Sequence, residues 1–124
     1  MIAVIFEVDL AEGRMEQYLA LAAALRGELE AIDEFLSVER FQSMSVPNRM
    51  VSLSFFRDEQ AVHQWRNTTA HRATQGRGRA GVFANYRLRV ASVIRDYGME
   101  DREQAPTDSL AAHSNAGQPS GSRT

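Results

Sequence analysis

The stretch 50-MVSLSFFRDEQAVHQW-65 changes its period once, at Asp58, and that change decides how the rest of the chain is read. Before it, Val51, Leu53 and Phe55 alternate with Ser52 and Ser54, the period of two that sends successive side chains to opposite faces of a strand. A strand over 50–57 follows, with the apolar residues on one face and the serines on the other. After Asp58, the residues Ala61, Val62 and Trp65 form the inner stripe of a short helix. Asp58 stands where a carboxylate can accept the unpaired N–H groups of that helix's first turn.

Toward the N-terminus, "SVPNR" supplies turn residues Pro47 and Asn48, so that "LSVERFQSM" (36–44) pairs with 50–57 as a hairpin. Leu36 and Val38 begin that strand inward, but the apolar positions then move to Phe41 and Met44. The change of parity predicts a bulge near Glu39 and Arg40. Further back, Met15, Tyr18, Leu19, Ala22, Leu25, Leu29 and Ile32 repeat at three and four, a helix from about 14 to 32. It follows a first strand, "IAVIFEVD" (2–9), with Ile2, Val4, Phe6 and Val8 on one face, and Glu12 and Gly13 break the pattern between them.

Toward the C-terminus, "NTT" (67–69) ends the second helix, and Thr68 or Thr69 can cap another short one that closes at Gly76, Gly78 and Gly81. From 82 to 97 the chain alternates again, with Val82, Tyr86, Leu88, Val90 and Ile94 on one face and Arg87, Arg89 and Arg95 on the other. Strands run to about 5–6 residues, so this one is expected to overhang its sheet and to need a partner. From Met99 the composition turns to Ser, Gly, Pro and Gln, which reads as a flexible tail. The organisation is therefore a domain over 1–98 and a tail over 99–124. The order β-α-β-β-α-β is the ferredoxin-like α+β arrangement, an antiparallel sheet with helices on one side.

Composition narrows the chemistry. A chain of 124 residues supports one core. It has no cysteine, which excludes thiolate nucleophiles, disulfides and cysteine-based zinc sites. All 14 basic residues are arginine, so there is no lysine for a Schiff base. Residues 1–62 hold 11 acids and 5 arginines, whereas 63–98 hold 7 arginines and Asp96 alone. The two blocks offset one another within one small domain, and the expectation is no nucleic-acid partner. Apolar runs fall short of the ~20 residues of a membrane helix, and the first residues have no basic start, so a cytoplasmic protein without membrane contact is expected.

"HQWRNTTAHR" (63–72) gathers two histidines and the only tryptophan. His63 lies about 200° around the helix from Trp65 and reads as exposed. With no carboxylate at a helical spacing to complete a set, no metal site is expected. Glu7, flanked by apolar residues, reads as the ion-pair partner of an arginine on the last strand rather than as a general base.

The element order, "SLSFFRDEQAVHQW", the histidine six residues after the tryptophan and the long last strand together resemble the antibiotic biosynthesis monooxygenase family of the dimeric α+β barrel superfamily, over residues 1 to about 98. The resemblance implies a homodimer in which two sheets face each other, each subunit keeping its own cleft between sheet and helices. It also implies a small aromatic ligand, since some members oxidise phenols with dioxygen and neither metal nor cofactor. On that pattern Trp65 would stack on the substrate, His71 and Tyr86 would hydrogen-bond its oxygens, and Arg40 or Arg66 would favour its anion. Phe6, Phe41, Phe55 and Phe83 are pocket lining as well as core.

Two other readings share the fold. One is a small-ligand-binding or stress-response module without catalysis. The other is haem degradation, which in related proteins uses an asparagine on the first strand and a histidine ten residues after the tryptophan. Those positions hold Phe6 or Glu7 and Gln75 here, leaving His71 as a displaced ligand.

Overall fold

The computed structural model describes residues 1–67, 76 and 81–108, with elements β1 (Ile2–Leu10), α1 (Met15–Glu30), β2 (Phe35–Gln42), β3 (Arg49–Phe56), α2 (Glu59–Arg66) and β4 (Phe83–Ser92). The strands form one antiparallel sheet in the order β2-β3-β1-β4, the ferredoxin-like topology. The chain divides into two units, Met1–Ser92 and Val93–Thr124, and all six elements belong to the first. The short helix expected after Thr68, His71 itself and the tail beyond residue 108 lie outside the described residues.

Inside the first unit, register assigns faces. Reading across β2, β3, β1 and β4, one rung is Val38–Ser54–Val4–Val90 and the next on the same face is Arg40–Ser52–Phe6–Leu88. Met50 and Phe56 share that parity and are buried, so this face is the one that packs on the helices. The serines of β3 therefore point inward, and Val51, Leu53 and Phe55 point away. Alternation alone cannot choose between the two faces; pairing with β1 does.

Two further details of the strands differ from expectation. The bulge in β2 lies between Phe35 and Ser37, earlier than Glu39 and Arg40. There Leu36 is the extra residue, so that Phe35 and Val38 both meet the inner face while Leu36 is exposed. β4 ends at Ser92 and does not run to 97, because Ser92 faces Ile2, the first residue of the strand it pairs with. Beyond that point no ladder remains to hold an extended backbone.

α1 buries Tyr18, Leu21, Ala22 and Leu29. At about 100° per residue Leu21 lies within 60° of Tyr18 whereas Leu19 lies a full 100° away, and Leu19 is indeed exposed. Gly13, at φ 75, turns the chain between β1 and α1, a backbone region that a side chain would strain. α2 begins at Asp58, whose Oδ1 accepts from the Ala61 N–H at 2.9 Å, and it buries Ala61, Val62 and Trp65 as its period requires. His63 is on the exposed side, with Nε2 3.0 Å from Asn67 Nδ2.

The core is in two clusters. Val8, Leu10, Tyr18, Leu21, Met50 and Val82 form one, and Leu29, Phe56, Ala61, Val62 and Trp65 the other. On the outer face an ion-pair ladder crosses three strands. Arg49 holds Asp9 by two hydrogen bonds of 2.7 and 3.2 Å and reaches Glu7 at 3.4 Å, and Glu7 in turn meets Arg89 of β4 at 3.4 Å. Glu7 is thus paired with a last-strand arginine. In the second unit, the Asp96 N–H donates to Gln104 Oε1 at 2.8 Å, and the Arg102 guanidinium lies 5.2 Å from the Tyr97 ring centroid.

No helix among the described residues is long and apolar enough to cross a membrane. Phe56 is fully buried, and Phe56→Ala is expected to lower unfolding free energy by about 3–5 kcal/mol in urea titrations. Asp9 gives a pH signature. Its hydrogen bond to Arg49 holds the carboxyl below its ordinary range; burial opposes this, and the charge of Arg49 adds a smaller lowering. The stabilisation is therefore present above the unfolded carboxyl's pKa of about 4 and is lost as pH falls through the lower folded value. Urea midpoints between pH 2 and 7 should fall more steeply on the acid side for the wild type than for Asp9→Asn.

Candidate functional site

Between the two core clusters lies a cavity of about 130 Å³. Its floor is the pair of inner rungs just described, and its roof is the inner stripe of α1 with Val62, Trp65 and Arg66 of α2. The space exists because the large inward residues of β3, Met50 and Phe56, stand at its ends, and the two between them are serines. Ala22 of α1 is similarly small.

One end is aromatic. The Phe6 and Phe83 ring centroids are 5.6 Å apart, Phe6 and Tyr86 5.7 Å, and Phe83 and Tyr86 6.1 Å, with Tyr18 edge-on to Phe83 at 6.3 Å. Phe83 and Tyr86 have opposite parity along the strand, yet both reach the cavity because the β1–β4 register shifts at Asp9/Leu10, where Leu10 pairs with Phe83. Trp65 lines the cavity from α2 and is only 8% exposed, packed with Leu29, Phe56 and Val62. Its indole is therefore both wall and core.

The polar groups are few. Arg40, opposite Ser52 on β2, reaches the cavity alongside the serine hydroxyls, and its Nε is buried with no hydrogen-bond partner among the described residues. Beside it is Tyr18, 5% exposed. Burial pushes the Tyr18 hydroxyl above its ordinary pKa, and Arg40 pulls it the other way by its charge and by hydrogen bonding. The phenol consequently stays protonated at neutral pH and can donate. Among the described residues no group of three His, Asp or Glu side chains is arranged to hold a metal ion.

Phe6, Arg40, Trp65, Arg66, Phe83 and Tyr86 thus converge on one cavity. Phe41 and Phe55 do not. Phe41 pairs with Val51 and Phe55 with Ala3 on the outer face, where Phe41 is 45% exposed. His71 lies outside the described residues. Tyr18, Ser52 and Ser54 were missed as site residues. The signal for Tyr18 was a hydroxyl on an otherwise apolar helix stripe; for the serines it was that two small residues sat between Met50 and Phe56 with the same parity.

Comparison with known proteins agrees with this architecture. The sequence profile of the antibiotic biosynthesis monooxygenase family matches residues 1–77. A jasmonate monooxygenase of the fungus Pyricularia oryzae is 44% identical over 93 residues, 75% of this chain, and the match spans 43% of that enzyme's length. Among solved structures, Rv0793 from Mycobacterium tuberculosis superposes with a TM-score of 0.70 at 15% identity, covering 78% of this chain and 98% of the other. A Deinococcus radiodurans protein gives 0.72 at 8% identity, covering 80% and 98%. At those identities the structures speak for the fold, while the profile and the fungal enzyme speak for descent, and on them the chain belongs to the antibiotic biosynthesis monooxygenase family.

Proposed function

We propose that the chain is a monooxygenase that inserts one oxygen atom of dioxygen into a small, flat phenolic or quinol substrate, without a resident cofactor. The observation that carries this reading is the cavity itself, a small space walled by Phe6, Phe83, Tyr86 and Trp65 with very few polar groups. Aromatic walls hold a flat conjugated ring, and an apolar enclosure keeps water from radical intermediates. The fungal relative's name, a jasmonate monooxygenase, is in keeping with a small-molecule oxygenase.

The chemistry is within reach of such a site. A phenol conjugated with a C–H position loses a proton, and its carbanion-like resonance form gives one electron to dioxygen. The resulting radical and superoxide combine into a peroxide at carbon. After protonation the hydroperoxide eliminates water and leaves a carbonyl, so one oxygen atom is kept and the other departs as water. A cation in the cavity favours the first anion, and fixed walls hold the radical pair together. Trp65 and Tyr86 contact the ring in this scheme, and His71 takes the proton. The enzyme acts as a homodimer in the cytoplasm. A cysteine-free sequence suits that compartment, and the exposed or half-exposed Phe41, Val51, Leu53 and Phe55 on the outer sheet face suit a second copy.

Oxygen-electrode assays with a panel of hydroquinones, anthrones and jasmonate test the reading. Uptake is expected with at least one compound, falling about a hundredfold or more in His71→Ala, the scale of losing one positioned proton-transfer group, and by a smaller factor in Trp65→Phe, which keeps an aromatic wall. Ser52→Leu, which fills the cavity, should abolish uptake while leaving the thermal midpoint unchanged or raised. Uptake from none of the compounds, or uptake indifferent to Ser52→Leu, would sink the oxygenase reading; ligand binding without turnover would favour a non-catalytic module instead.

A further inference from the structure

Four arginines in the described residues, Arg26, Arg49, Arg57 and Arg89, each have a carboxylate at 2.7 to 3.4 Å. Arg40 is in none of the ion pairs of the described residues, although it is the arginine that β2 turns into the apolar cavity. Its neighbours there, Tyr18, Ser52 and Ser54, are hydroxyls. They can share hydrogen bonds with a guanidinium but cannot neutralise it. Arg40 is half-buried, so part of its guanidinium keeps water, but its Nε edge is fully buried, and a charge-bearing group held there without a counter-charge is costly.

We propose that Arg40 anchors the carboxylate of the bound compound, so that the cavity's ligand class is a small aromatic monocarboxylic acid, its phenolic or quinol ring lying against Phe6, Trp65 and Tyr86. The inference rests on the small-molecule reading of the cavity above and specifies its substrate class. The shape of the unpaired edge selects the anion. An arginine offers its Nε–H and one Nη–H side by side, a fork that fits the two oxygens of a carboxylate and only half fits a phenolate. The Nε of Arg40 is buried and is a donor left without a hydrogen-bond partner among the described residues, so the side-on fork is unused by the protein. A turn of the guanidinium about its flexible stem presents that edge to the cavity. Arg66 also lines the cavity, from α2, so it is the shape of the Arg40 fork and not a single unit of charge that selects the head group. Tyr18, protonated at neutral pH, adds a donor beside the fork.

Calorimetric titration of the full chain with 3-phenylpropanoate, its primary amide and 4-ethylphenol tests this. The three share a body and differ in the head. The acid is expected to bind about tenfold or more tighter than the amide or the phenol, the worth of a charge-assisted pair of hydrogen bonds. Arg40→Met should erase that preference while amide affinity stays within about twofold, and Arg40→Lys should keep part of it. If Arg40→Met does not fold, the wild type still decides: acid binding must fade as pH falls through the ligand's own carboxyl pKa while amide binding persists.

Equal affinity for acid and amide, equal weakening of both in Arg40→Met, or a phenol that matches the acid overturns the anchor. Acid preference without oxygen uptake from any compound supports the anchor and removes the oxygenase reading. Uptake on neutral hydroquinones with no acid preference does the reverse.

Discussion

Parity in β3 is the constraint on which the interior depends. Met50 and Phe56 lie six residues apart, an even number, and both are needed in the core, at 7% and 0% exposure. A strand's period of two then forces Ser52 and Ser54 onto the same face. Each large residue seeds one hydrophobic cluster, and the serines between them leave the gap that becomes the cavity. At about 24 cal/mol per Å³, an apolar space of about 130 Å³ left empty costs on the order of 3 kcal/mol. That figure is an upper bound, since the space is partly open to solvent, but it is still sizeable in a domain whose whole stability is about 5–15 kcal/mol.

The same parity sets the outer face. With the serines inward, Val51, Leu53 and Phe55 must face away from the helices, interleaved with Ile5 and Ala3 of β1. Toward the end of the sheet where Asp9 pairs with Arg49, that face turns polar: Glu7, Asp9, Arg49 and Arg89 close a ladder across β3, β1 and β4. An apolar patch edged by satisfied ion pairs can be covered without stranding a charge, as the proposed homodimer requires.

What the sequence made legible was what local rules control. The six elements, the Asp58 cap, the α2 stripe and the inward face of β1 all follow from period and capping within one segment. What it hid was set by distant partners. The inward face of β3 was illegible because its apolar residues favoured the wrong side, and only pairing with β1 reverses that. The parity change in β2 was visible, but the bulge belongs at Leu36, where Phe35 and Val38 can both meet β3's inner face. The end of β4 at Ser92 depends on where β1 begins. The site divides in the same way. Tyr86, Trp65 and Arg40 were named through the family resemblance, and with Phe6 their faces agree with it, whereas Phe41 and Phe55 were lost with the face of the hairpin. Phe83 reaches the cavity only through a register shift that no alternation pattern contains.

Arg40 and Arg49 sharpen the argument about charge, since they stand on the two strands of one hairpin and differ in face alone. Arg49, outside, has two carboxylates within 3.4 Å and a pKa raised first by its hydrogen bond with Asp9 and then by that carboxylate's charge. Arg40, inside, has hydroxyls. An inner carboxylate facing Arg40 would have satisfied it, as Asp9 does Arg49, and would also have cancelled the cavity's one strong source of positive potential from β2. Leaving the guanidinium with only neutral partners keeps that potential available at a low effective dielectric, where it acts on a bound acid or a developing anion more strongly than any exposed arginine of the outer face can.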